Sequence, residues 1–170
     1  MVRSTAVLLL MLAACSTKPA ATQPEATSST MPVAEEDDPT LVRGGYDQAE
    51  MDAAIAKARA TVDTFIAEFE QGNGQNFSVK APITDGEETE HFWLGQLKYD
   101  NGTFTGTIDN VPGVVGNVKL GQSWTIEKAE ISDWMFMRDG KMHGNYTMRP
   151  LLKTLPPDEA AVYRAMLAEP

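Results

Sequence analysis

The sequence is poor in the residues that build disulfides and metal centres. Its 170 residues include one cysteine, Cys15, and two histidines. A single cysteine excludes an internal disulfide and excludes a metal site made of several cysteines. We therefore expect the folded part to be held together by packing and hydrogen bonds, and we predict no metal and no cofactor.

Positive charge is also scarce. The 14 lysines and arginines face 24 aspartates and glutamates, which gives a net charge of −10. A surface of this sign repels phosphate backbones, which argues against a nucleic-acid partner. The chain also has no Gly-x-Ser-x-Gly elbow for a serine nucleophile and no glycine-rich loop that leads into a helix to cradle phosphate.

The N-terminus has the features of a bacterial lipoprotein signal. Arg3 precedes the apolar residues 7–12, a stretch too short to span a bilayer. Leu12-Ala13-Ala14-Cys15 then resembles the lipobox, in which small residues precede the cysteine that is lipidated. We expect residues 1–14 to be removed and Cys15 to anchor the protein to a membrane. The alternative is an ordinary signal peptide with a chance cysteine.

The residues after Cys15 predict a tether and a location. Residues 15–45 are rich in Pro, Thr, Ser and Glu and contain few large apolar side chains, which predicts a lipidated, disordered tether. A single domain is expected over residues 46–170. Ser16 occupies the position at which an aspartate signals inner-membrane retention. We therefore expect a lipid-anchored envelope protein on the periplasmic side of the outer membrane, if the cell is Gram-negative.

Helical periodicity is found at both ends of the predicted domain. An apolar stripe at three- and four-residue steps predicts an amphipathic helix from Tyr46 to Glu70, capped by Asp47 and ended by Gly72. The stripe consists of Met51, Ile55, Ala58, Val62, Ile66 and Phe69. A second, short helix is predicted over residues 158–169, with Val162, Met166 and Leu167 on one side.

Two β-hairpins are predicted between these helices. Asn101-Gly102 and Asp139-Gly140 are dipeptides that favour the tight type I′ turn and so set the register. The first hairpin then pairs Tyr99 with Phe104 and Gly95 with Ile108; the second pairs Met137 with Met142 and Asp133 with Tyr146. With a further strand over residues 124–130, the expected fold is α+β, a mainly antiparallel sheet flanked by the two helices.

Asp133 is the centre of a candidate polar site. The register places it on an apolar face, where a carboxylate must be paired, hydrogen-bonded or protonated. The candidate partners are the Tyr146 hydroxyl, the backbone and Arg149. Glu90 and His91 are further candidates. One interpretation is a hydrolase that uses Asp133, Glu90, His91 and Tyr146. The other is a structural hydrogen bond that fixes the hairpin.

The other face of the second hairpin is a candidate binding surface. It carries Trp134, Phe136, His143 and Asn145. If exposed, such an aromatic and polar patch is typical of a surface that binds partners. If a helix covers it, these side chains form a second core layer.

Several segments of the chain resemble a known bacterial family. Taken in order over residues 76–152, they are similar to the domain of unknown function 2314, the YegJ-like family. The segments are Phe77–Ala81, Glu90–Leu94, Gly102–Pro112, Ile131–Met135 and Gly140–Arg149. The resemblance implies that the hairpin region is the family domain and implies no particular activity, so no catalytic residue is carried over.

These observations favour a binding function over an enzymatic one. We expect a non-catalytic domain that binds a protein or peptide through the Trp134 and Phe136 face or a sheet edge. The hydrolase and a small-molecule or polysaccharide binder remain alternatives. The sequence does not indicate an oligomeric state.

Overall fold

A six-stranded antiparallel sheet forms the centre of the protein in the computed structural model, which describes residues 45–169. The strand order is β4-β3-β2-β1-β5-β6. The strands are β1 (Gln75–Asp85), β2 (Glu88–Asp100), β3 (Thr103–Ile108), β4 (Ser123–Glu127), β5 (Asp133–Arg138) and β6 (Lys141–Gly144). Cys15, the expected signal peptide and residues 15–44 of the expected tether lie outside the described residues.

The N-terminal helical region consists of two helices, α1 (Gln48–Ala60) and α2 (Val62–Gln71), where the periodicity predicts one. The break lies at Thr61, whose hydroxyl donates to the carbonyl of Lys57 at 2.8 Å and so competes with the helical ladder. The predicted ends are confirmed. Asp47 accepts a hydrogen bond from the backbone of Glu50, and Gly72 ends α2 in the left-handed conformation.

The aromatic core lies between this helix pair and one face of the sheet. Phe65 of α2 is fully buried and contacts the rings of Trp134 and Phe136 on β5 and of Phe104 on β3. The indole Nε1 of Trp134 donates to the carbonyl of Ala58 at 3.0 Å. Aromatic side chains of β3 and β5 therefore pack the helix pair against the sheet. Phe65 was absent from the predicted stripe.

The first hairpin has the predicted register near its turn but not along its length. Tyr99 pairs with Phe104, which is confirmed. Further from the turn, Ile108 pairs with Leu94 and not with the neighbouring glycine, so that part of the prediction is wrong. The cause is a β-bulge around Gln96, which has a φ of 50° and adds one residue to β2.

The second hairpin is shorter than predicted. Met137 pairs with Met142 as expected. The predicted pairing of Asp133 with Tyr146 is wrong because β6 ends at Gly144, which has a φ of 75°. The chain leaves the sheet there and enters the short helix α3 (Met148–Leu151). This early exit decides which side chains reach the candidate polar site.

The last helix, α4 (Pro157–Met166), packs through a different side from the predicted one. Ala160 is its buried residue, whereas Val162 and Met166 are exposed. Leu167, just beyond the helix, is buried and forms a parallel bridge with Met142 at the β6 edge. Within residues 45–169, neither α4 nor another helix is long and apolar enough to cross a membrane.

Candidate functional site

Asp133 is completely buried and ties the start of β5 to the chain beyond β6. Its Oδ1 accepts from the backbone nitrogens of Trp134 (2.9 Å) and Tyr146 (3.1 Å). Its Oδ2 accepts from the backbone nitrogen of Thr147 (2.8 Å) and from the hydroxyl of the same residue (2.6 Å). A carboxylate offers about four acceptor positions. All four are used here, so the geometry favours the structural interpretation of Asp133 over an acid–base role.

Lys80 lies opposite Asp133 in the register between β1 and β5. Its Nζ donates to the Thr147 hydroxyl at 2.8 Å, and that hydroxyl donates in turn to Asp133. The ammonium also lies 4.4 Å from the ring centre of Trp93, a cation–π arrangement. Desolvation lowers the pKa of Lys80, and the Asp133 carboxylate opposes part of that shift. The cation is thus fixed between an indole and a carboxylate that it reaches through one hydroxyl.

His91 is fixed by a neighbouring serine. Its Nδ1 lies 2.8 Å from the hydroxyl oxygen of Ser132, and that hydroxyl donates to the carbonyl of Lys80. Since the hydroxyl has one proton to give, we assign the hydrogen on Nδ1 to the histidine, which leaves Nε2 as an acceptor. Desolvation lowers the pKa of His91, and the positive charges of Lys80 and Arg59 lower it further. The ring is therefore neutral near pH 7.

Lys80, His91 and Trp93 form one surface, which we name the Trp93 face. In β2, the alternate residues Phe92 and Leu94 are buried in the core under α1 and α2. Because successive side chains of a strand point to opposite sides, His91 and Trp93 lie on the other side of the sheet. His91 is exposed, and Lys80 and Trp93 are partly exposed. This face of the sheet thus carries an indole, an imidazole and a lysine side chain, each at least partly exposed.

Glu90 points to the side of the sheet opposite His91 and serves a different part of the fold. It is buried, and its carboxylate accepts from the backbone nitrogens of three consecutive residues in the loop between β3 and β4. These residues are Gly113, Val114 and Val115, at 3.0 to 3.3 Å. Neighbouring strand positions cannot bring Glu90 and His91 to one cleft. The constellation predicted for a hydrolase is therefore not assembled.

Tyr146 and Arg149 lie in a third place, on the segment around α3 that packs against α1. The Tyr146 hydroxyl is 3.4 Å from that of Thr61, and its ring meets Trp134 edge-on. Arg149 lies 5.9 Å from the Tyr146 ring centre and donates to the carbonyl of Ala168. The five candidate polar residues are thus distributed over three sites. In the described residues, no group of three or more His, Cys, Asp or Glu is arranged to hold a metal ion.

The candidate binding surface on the second hairpin is covered by the helix pair. Trp134 and Phe136 are 4% and 2% exposed, and Asn145 is also buried. His143, which is partly exposed, stacks on Phe136 with ring centres 4.9 Å apart, as the predicted pairing required. Of the two interpretations, the second core layer is therefore the one that the structure supports. An exposed patch at Trp134 and Phe136 was the wrong alternative.

Four residues of the site were missed by the sequence reasoning: Lys80, Trp93, Ser132 and Thr147. One signal was available for Lys80, which interrupts an apolar run between Val79 and Ala81 and so has to face away from the core. Ser132 and Thr147 carried no such signal. Their roles depend on where β6 ends and how β1 pairs with β5.

Comparison with known proteins identifies the family. The family described as "Uncharacterized protein conserved in bacteria (DUF2314)" matches residues 48–168. The chain belongs to this family. Over 128 residues it is 52% identical to "Uncharacterized protein YegJ" of Escherichia coli strain K12, covering 75% of this chain and 84% of that protein.

A second relative shares a shorter part of the DUF2314 chain. It is "Putative ankyrin repeat protein NMB1133/NMB1171" of Neisseria meningitidis serogroup B, which is 32% identical over 91 residues, 51% of this chain and 36% of that protein. No solved structure matches the chain. The family match confirms the resemblance and extends it beyond residues 76–152. It begins at the first residue of α1, so both flanking helical regions belong to the DUF2314 domain.

Proposed function

We propose that this DUF2314 protein is a cell-envelope lipoprotein, anchored at Cys15, whose domain binds a protein or peptide through the Trp93 face. The observation that carries the binding proposal is the partly exposed indole of Trp93, flanked by Lys80 and His91 on the side of the sheet away from the core. Tryptophan is enriched at the energetic centres of interfaces because it buries a large apolar area and loses little conformational freedom.

The polar neighbours of Trp93 are fixed in advance of binding. Asp133 and Thr147 hold Lys80 against one part of the indole, and Ser132 orients His91. Side chains that are already ordered lose little entropy when a partner arrives. The partner that fits lays an apolar side chain on the exposed part of the indole and donates a hydrogen bond to Nε2 of His91.

The hydrogen bonds of the carboxylates support binding over catalysis. A general acid or base needs an oxygen that can reach the substrate. The oxygens of Asp133 accept from backbone and hydroxyl donors of the fold, and those of Glu90 accept from loop nitrogens. Asp133 has no unused acceptor position, and Glu90 is buried with its carboxylate held by the loop, so neither group is placed to reach a substrate.

The anchoring proposal rests on the lipobox residues Leu12-Ala13-Ala14-Cys15. Its test is labelling of cells with radioactive palmitate, followed by separation of membrane and soluble fractions. We expect the wild-type chain to carry label and to sediment with membranes, and Cys15→Ala to do neither. Equal labelling and equal sedimentation of the two chains would contradict lipidation at this residue.

The binding proposal is tested by affinity purification of the tagged, full chain from native envelopes after mild crosslinking. We expect Trp93→Ala to lose a specific partner that the wild type retains. Trp124→Ala is the matched control, because this partly exposed tryptophan packs against the core on the opposite side of the sheet. Thermal unfolding of both variants shows whether each is folded. Retention of the same partners by folded Trp93→Ala would contradict the proposal.

A further inference from the structure

A cleft of about 390 Å³ lies between α1 and the segment around α3. Each wall contributes residues spaced i, i+3, i+4 and i+7, the spacing that places side chains on one face of a helix. The lining residues are Glu50, Ala53, Ala54 and Lys57 on one wall and Tyr146, Arg149, Pro150 and Lys153 on the other. The cleft shares no residue with the Trp93 face.

The cleft combines an apolar floor with a cationic rim. Ala53, Ala54, Pro150 and Tyr146 supply apolar surface, while Lys57, Arg149 and Lys153 supply positive charge. The one carboxylate in the lining, Glu50, pairs with Lys153 at 2.6 Å. Three cations and one carboxylate leave an excess of two positive charges, on a chain whose net charge is −10. The local charge is therefore opposite in sign to that of the protein as a whole.

Arg149 has a hydrogen-bond donor that the fold does not satisfy. Its Nη2 donates to the carbonyl of Ala168 at 3.0 Å, but its Nε is buried and has no partner within residues 45–169. Buried donors in proteins are nearly always paired, and an unpaired donor on a charged group is costly. Within the described residues the guanidinium uses one of its five donors, on the carbonyl of Ala168, so it keeps donor capacity for an anion in the cleft.

We propose that the cleft binds a free, single-chain amphipathic anion. Its headgroup accepts from Arg149 and Lys57, and its apolar chain lies along Ala53, Ala54 and Pro150. The volume is near the lower end of the range of about 300–1,000 Å³ that ligand sites occupy, which suits one short chain and not a two-chain lipid. This site is additional to the proposed partner surface and does not depend on it.

The test is calorimetric titration of the full chain carrying Cys15→Ala, which has no lipid of its own at that residue to occupy the cleft. The probes are decanoate, decyltrimethylammonium with the same chain and the opposite charge, and acetate with the headgroup alone. We expect decanoate to bind and the other two probes to bind at least about tenfold more weakly, because charge and chain are both recognised.

The variants locate the site. Lys57→Gln and Arg149→Gln are each expected to weaken decanoate binding by about tenfold, whereas the matched control Lys119→Gln and the variant Trp93→Ala leave it unchanged. If Arg149→Gln lowers the midpoint of thermal unfolding, its effect on binding is set aside. Lys57→Gln, at an exposed residue, is then the variant that tests the site. The proposal is overturned by an absence of saturable decanoate binding, by equal affinity for the cationic probe, by insensitivity to Lys57→Gln, or by binding to vesicles of anionic lipid without binding to decanoate.

Discussion

Replacement of Asp133 by asparagine tests the polar framework beneath the Trp93 face. Asparagine has the same shape but keeps one acceptor oxygen, so it retains the bonds from Trp134 and Tyr146 and loses the two from Thr147. The NH2 group of the asparagine then faces the backbone N–H of Thr147. Since both groups are donors, the backbone N–H of Thr147 is left buried and unpaired. The positive charge of Lys80 also loses its carboxylate.

The cost of this substitution follows from the two lost bonds. A hydrogen bond to a charged group contributes about 1.5–3 kcal/mol, so two of them amount to about 3–6 kcal/mol. The Thr147 hydroxyl can turn to accept from the new amide, which recovers about 1 kcal/mol. We therefore expect Asp133→Asn to lower the free energy of unfolding by about 2–5 kcal/mol, a large part of the about 5–15 kcal/mol of an ordinary domain.

Urea denaturation followed by tryptophan fluorescence at pH 7 measures this change. Asp109→Asn is the control, since Asp109 is exposed and a surface substitution of this kind changes stability by no more than about 0.5 kcal/mol. A loss below about 1 kcal/mol for Asp133→Asn would refute the assignment of four hydrogen bonds to this carboxylate.

Three further predictions concern stability. Glu90→Gln is expected to lower the free energy of unfolding by about 2 kcal/mol and to speed amide hydrogen exchange in the loop after β3, because glutamine has one acceptor oxygen fewer for the loop nitrogens. Unchanged exchange in that loop would contradict this role of Glu90. Gly144→Ala is expected to cost more than Gly140→Ala in urea denaturation, since both glycines have positive φ but only at Gly144 does a Cβ overlap β5; equal costs would argue against that close approach. The pKa of His91 is lower in the folded protein than in the unfolded chain. As the pH falls below about 6.5, the unfolded chain therefore binds a proton at His91 before the folded protein does, and the free energy of unfolding decreases. The pH slope should be smaller in His91→Asn, and identical slopes would contradict the shift.

Local sequence signals predicted the parts of the fold that depend on neighbouring residues. Asn101-Gly102 set the pairing of Tyr99 with Phe104, and Asp47 and Gly72 marked the helix ends. The bulge at Gln96 was not predictable from alternation, because an extra residue in one strand changes the register only beyond it.

The candidate site depended on long-range pairing and was therefore predicted only in part. The apolar setting of Asp133 correctly required hydrogen bonds, but Thr147 became its main partner once the chain left the sheet at Gly144. Lys80 reached the same site because β1 pairs with β2 on one side and β5 on the other. No local pattern specifies which strands become neighbours, so the Trp93 face could not be assembled from the sequence.

Photo-crosslinking in the native envelope shows whether a partner lies on the Trp93 face. A photoreactive residue is placed at the exposed position 89, two residues from His91 and on the same side of β2, or, as a control, at the exposed position 64 of α2, on the opposite side of the sheet. We expect a discrete adduct from position 89 that disappears when Trp93→Ala is added, and no such adduct from position 64. Equal adducts from the two positions, or an adduct at position 89 that persists without Trp93, would contradict a binding role for this face.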